Sequence, residues 1–197
     1  MKQQVLIIHG GETFAFYDDY LNYLKNYKID FEKIFGKSQR WKRTLSEDLG
    51  DKFEVIQPLM PCPRNAKYIE WKIWVEKYFP YLQKEIILIG HSLGGIFWVK
   101  YLSENKFPKK IKQLHLVAPP FNHKELVDFN FCSKKLFKIE RQTEQIFLYH
   151  SQDDPVVPLS DFEKYAKQLP TAKKIVFQNK GHFLMEHFPE IVRNIKK

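Results

Sequence analysis

A serine flanked by glycines, in the run Gly90-His91-Ser92-Leu93-Gly94-Gly95, leaves this chain few choices of local geometry. The run follows the apolar stretch Ile86-Ile87-Leu88-Ile89 and precedes Ile96-Phe97-Trp98-Val99, which has helical character. A G-x-S-x-G sequence at a strand-to-helix junction predicts a sharp, strained turn with the serine hydroxyl exposed above a sheet. Glycines two residues before and after the serine remove side chains that would otherwise collide inside the turn. The amide of Leu93 then opens a helix, where a backbone N–H has no intrahelical acceptor and is free to bind a developing oxyanion.

A serine hydroxyl is a weak nucleophile, so a base and an orienting carboxylate are sought beyond later strands. After the apolar run 146–149 comes His150-Ser151-Gln152-Asp153-Asp154-Pro155, and after 175–177 comes Gln178-Asn179-Lys180-Gly181-His182-Phe183. The order Ser, Asp, His along the chain makes Ser92 the candidate nucleophile, His182 the base and Asp154 the acid. Asp154 is preferred over Asp153 because it stands directly before Pro155, which biases it to an extended conformation. Adjacent side chains in an extended loop also point in opposite directions, so only one of the pair can face the histidine. The loop His9-Gly10-Gly11-Glu12, after the first apolar run, offers Gly11 as a second oxyanion donor beside Leu93. No G-x-G-x-x-G spacing suggests a dinucleotide site.

Short, continuously apolar runs recur at 5–8, 53–56, 86–89, 114–117, 146–149 and 175–177, as expected of strands covered on both faces. Segments with helical spacing lie between them, at 17 to about 35, 68–82, 93–104, 160–169 and 190–195. The alternation predicts an α/β fold: a mostly parallel, doubly wound sheet of about six strands with helices on both faces and the site at the carboxyl ends of the strands. Residues 1–197 read as one domain with two irregular stretches. One, about 33–51, extends the first crossover. The other, about 119–141, mixes phenylalanines with charges like a small cap, and its Phe121 and Phe129 are candidates for binding an acyl chain.

The net charge of +9 raises the question of an anionic partner, but the lysines are scattered and interspersed with carboxylates, which argues against nucleic acid. No signal-peptide pattern and no apolar run near the roughly 18 residues of a membrane span is visible. Cys62 and Cys132 have neither disulfide-framework nor zinc spacing. A cytoplasmic protein without metal or organic cofactor, off the membrane, acting on a small acyl substrate, is the expectation; the oligomeric state is open, with a monomer as the default.

With these sites in place the chain resembles the α/β-hydrolase superfamily, and within it the small serine hydrolases of the retinoblastoma-binding-protein-nine and YdeN-like group. The resemblance runs nearly end to end. It rests on His9-Gly10, Met60-Pro61-Cys62-Pro63 ahead of Trp71 and Trp74, the turn at Gly90 to Gly95, Asp153-Asp154-Pro155 and Gly181-His182-Phe183. It implies a minimal α/β-hydrolase fold, with Ser92, Asp154 and His182 in the triad positions, hydrolysing an ester, thioester or small amide through an acyl-enzyme. The longer stretch between Tyr17 and Asp51 departs from the group. The competing reading is a non-catalytic protein of the same fold that binds a protein or nucleic-acid partner; a strained turn presenting a serine has no use in such a module.

Overall fold

The computed structural model describes residues 2–29 and 40–197. Its sheet contains β1 (Gln3–Ile8), β2 (Phe53–Ile56), β3 (Glu85–His91), β4 (Lys110–Val117), β5 (Thr143–Ser151) and β6 (Lys173–Phe177) in the order β2-β1-β3-β4-β5-β6. Every neighbouring pair is parallel. The order reverses at β1, which lies between β2 and β3, so the crevice at the carboxyl ends of β1 and β3 is where such a sheet receives ligands.

The two-residue period of a strand explains how a continuous apolar run serves two cores. Leu6, Ile8, Ile86, Leu88, Leu114, Leu116, Ile146 and Leu148 face the larger core. Val5, Ile7, Ile87, Ile89, Val117, Phe147 and Tyr149 face the smaller one. The larger core is covered by α3 (Tyr68–Glu76), α4 (Leu93–Glu104) and α6 (Leu159–Gln168), the smaller by α2 (Trp41–Leu49) and α7 (Pro189–Ile195). α4 is buried on nearly all sides, which explains why it is apolar throughout instead of striped. α1 (Tyr17–Asn26) buries none of its residues.

Among the described residues, two helices had no counterpart in the sequence reading. α2 occupies most of the second half of the 33–51 stretch; residues 33–39 lie outside the described residues, and the helix expected from 17 to about 35 ends at Asn26, with its part from 30 onward also outside them. Its signal was present: Trp41, Leu45 and Leu49 stand four apart, and Gly50 follows at φ 78° as the helix end. α5 (Phe137–Gln142) is the second. The predicted 68–82 helix ends early, because Pro80 turns its last part into a short 3₁₀ segment, Phe79–Tyr81.

The 119–141 stretch folds as two 3₁₀ turns and α5, docking on the larger core through Leu126, Phe129, Phe131, Leu136 and Ile139. Phe129 is fully buried against Tyr68 and Trp71. This corrects its assignment to substrate binding: a ring with no exposed face is core packing, not a pocket wall. Phe121 is half-buried on Phe131 and Tyr165, so part of its surface remains available. Among the described residues no helix is long and apolar enough to cross a membrane.

Candidate active site

Ser92 sits between β3 and α4 at φ 55° and ψ −123°, a conformation costing a non-glycine residue about 1–3 kcal/mol. The surroundings enforce it. Ser92 N–H donates to Val117 O at 2.9 Å, and Ser92 O accepts from Gly95 N–H at 2.8 Å. A side chain on Gly90 would strike the Gly94 carbonyl, and one on Gly94 would strike the Ile8 carbonyl, so the turn admits only glycine there.

The loop after β1 closes over the serine. A β-carbon built on Gly10 would stand 3.1 Å from Ser92 Cβ and 3.5 Å from its Oγ, and one on Gly11 would stand 3.4 Å from Leu93 Cδ2. His9 controls how this loop faces. Its Nε2 accepts from Met60 N–H at 3.1 Å, which puts the ring proton on Nδ1, and Nδ1 donates to Gly10 O at 2.6 Å. Burial holds the His9 pKa below its ordinary value, consistent with a neutral ring. Because C=O and N–H of one trans peptide point in opposite directions, tying down the Gly10 carbonyl also fixes the Gly11 N–H.

Asp154 and His182 are delivered by the loops after β5 and β6. His182 Nδ1 lies 2.8 Å from Asp154 Oδ2 and 3.0 Å from Oδ1. The Asp154 side chain is fully buried, and its Oδ1 accepts from the amides of Val156 at 2.8 Å and Val157 at 3.0 Å. Burial raises its pKa, but the hydrogen bonds from His182 and the two amides outweigh that, and the net shift is downward. Asp153 is exposed and faces elsewhere: its Oδ1 accepts from Ser151 Oγ at 2.5 Å and Gly181 N–H at 2.9 Å. Ser151 Oγ in turn accepts from Lys180 N–H at 2.9 Å. Asp153 and Ser151 therefore stitch the two loops together.

Ser92 Oγ and His182 Nε2 share no hydrogen bond in this conformation; such contacts commonly tighten only when substrate binds. His187 precedes α7 and bonds through Nδ1 to Asp48 at 3.1 Å. A cavity of about 970 Å³ beside Lys2, Asp51, Lys52 and Lys196 lies at the amino ends of β1 and β2, away from Ser92 at the carboxyl end of β3. Sequence reasoning missed Glu12, whose carboxyl is raised in pKa by burial, with a smaller opposing contribution from His182. It also missed the roles of His9, Lys42 and His91.

Lys42, on the first turn of α2, is 8% exposed, and its Nζ lies 3.1 Å from His91 Nδ1. Burial, with a smaller contribution from Arg40, pulls its ammonium down to about 7. Below that value the folded chain bears the cost of a buried charge. Between about 7 and the ordinary 10.5 the unfolded chain holds a proton that the folded chain has released, so stability rises with pH across that window. Lys42→Met is expected to stabilise the protein at pH 6 by on the order of a few kcal/mol. The gain should shrink toward pH 10.5. Urea unfolding of parent and variant at pH 6 and pH 10 checks this; an equal gain at both would exclude the buried charge as its source.

A parallel sheet with a serine-bearing turn at a strand end, and a histidine–aspartate pair on the loops beyond later strands, defines a small α/β-hydrolase. The chain belongs to the serine hydrolase family, whose description matches residues 36–190. Serine hydrolase RBBP9 of Rattus norvegicus is 28% identical over 151 residues, covering 73% of this chain and 77% of that protein. The ydeN gene product of B. subtilis superposes with a TM-score of 0.68 at 20% identity, over 99% of this chain and 97% of that one. The thioesterase domain from the curacin biosynthetic pathway has the same fold, with a TM-score of 0.63 at 12% identity, over 100% of this chain and 91% of that domain.

Proposed function

We propose that this serine hydrolase cleaves a carboxylic ester, thioester or small amide through an acyl-enzyme, with Ser92 as nucleophile, His182 as base and Asp154 as the acid that orients it. The observation that carries this reading is the 2.8 Å contact between His182 Nδ1 and the buried Asp154 carboxylate. With Nδ1–H committed to Asp154, the lone pair of the neutral ring lies on Nε2.

His182 Nε2 takes the Ser92 proton as Oγ bonds to the substrate carbonyl carbon, and the Gly11 and Leu93 amides hold the resulting oxyanion. Collapse breaks the bond to the leaving group, which departs with the proton from the imidazolium. Water then loses a proton to His182, attacks the acyl carbon and releases the carboxylic acid, returning the proton to Ser92. Phe121 is the remaining aromatic candidate for the acyl chain. The free, exposed Cys62 and Cys132 fit a reducing compartment such as the cytoplasm.

Labelling by a fluorophosphonate probe tests for an activated serine without knowledge of the substrate, and a panel of 4-nitrophenyl acyl esters then reads chain-length preference. His182→Gln should abolish both signals. His187→Gln should leave turnover within a few-fold of the parent, because it removes only an exposed contact with Asp48. An inactive His187 variant beside an active His182 variant would reverse the choice of base.

A further inference from the structure

The loop that carries His182 is held in an unfavourable shape. Gly181 at φ 49° and Phe183 at φ 54° flank it, and for phenylalanine this conformation persists only where the surroundings over-determine it. Those surroundings come from the first turn of α2. Trp41 Nε1–H donates to Phe183 O at 3.0 Å, Trp41 N–H to Met185 O at 2.8 Å, and Thr44 Oγ1–H to Glu186 O at 2.8 Å. The carbonyl of His182 itself accepts from His91 Nε2 at 2.9 Å. That bond requires the His91 proton on Nε2, and Lys42 Nζ enforces it by donating to Nδ1 at 3.1 Å.

We infer that α2 is a clamp on the loop of the catalytic base, and that Trp41, Lys42 and Thr44 are positioning residues for the hydrolytic reaction. The inference rests on the reading of His182 as that base. Four carbonyls of one short stretch, at 182, 183, 185 and 186, are engaged by α2 directly or through His91. All three α2 residues are buried. Lys42 is the telling member. Core packing alone would be met by a methionine, without a buried amine set against the His91 ring. Its amine makes sense as the N–H donor that sets the His91 tautomer, and its 5.2 Å approach to the Trp41 ring joins it to the other arm of the clamp.

The test compares Trp41→Phe, Lys42→Met and Thr44→Val with the parent enzyme on one activated ester. Readouts are kcat, KM, thermal midpoint and the low-field NMR resonance of the His182 Nδ1 proton. A loosened base loop should lower kcat about 10- to 100-fold with little change in KM, and should broaden or remove that resonance. Lys42→Met should do so without losing thermal stability, a combination that a merely structural residue does not give. If Trp41→Phe fails to fold, Lys42→Met and Thr44→Val decide. Turnover within about twofold of the parent and an intact resonance in both would overturn the clamp. Full turnover in His182→Gln would instead overturn the underlying assignment of the base, so the two failures are distinguishable.

Discussion

Ser92→Ala is expected to reduce kcat by about 10⁶, leaving only the residual rate that an oxyanion site and substrate binding supply. The substitution removes one oxygen and nothing that holds the turn. The anchors of the serine are its backbone N–H on Val117 O and its carbonyl under Gly95 N–H, and alanine keeps both. Fluorophosphonate labelling should vanish, while the denaturant midpoint stays near that of the parent. Ser92→Gly provides a companion measurement, because the residue stands at φ 55°. Glycine reaches that region without strain, so this variant should be as inactive as alanine and more stable by about 1 kcal/mol. Substantial ester turnover in either variant would remove Ser92 as the nucleophile.

Asp154→Asn is the second large effect, expected to lower kcat by about 10⁴. The carboxylate accepts the Nδ1 proton of His182 and two backbone amides. An amide in its place offers an N–H to the ring and favours the tautomer whose Nε2 carries a proton, which cannot accept one from serine. Asp153→Asn should cost far less, since that carboxylate bonds to Ser151 and Gly181, not to the imidazole. Its loss should show as a looser joint between the two loops and a lower thermal midpoint. Kinetics of both variants on one activated ester compare them directly. A larger loss at Asp153 than at Asp154 would transfer the acid role to the neighbour.

The strands were the most legible part of the fold. All six apolar runs became strands, five of them longer by a few residues at one or both ends, where the ladder outlasts the apolar stretch. The turn around Ser92 was equally plain, because its glycines, strand and helix are contiguous. The choice of Asp154 over Asp153 rested on the local effect of Pro155, and in the structure Asp154 is the one that meets His182. Phe129 was misjudged for a physical reason: a phenylalanine in a charged stretch reads as exposed until the core beneath it is known.

What the chain determined by itself was therefore what neighbouring residues settle among themselves: the period of an apolar run, the turn that glycine permits, and the extended backbone before proline. Tertiary structure decided the partnerships. Trp41 and Phe183 are 142 residues apart, and Lys42 and His91 are 49 apart. No periodicity or spacing links them, because their contact exists only after α2 and the His182 loop have packed on the same face of the sheet. The same holds for the charge of Lys42. A lysine in a polar stretch is ordinarily solvated, and only burial beside His91, a condition set by the whole fold, pulls its ammonium down to about 7.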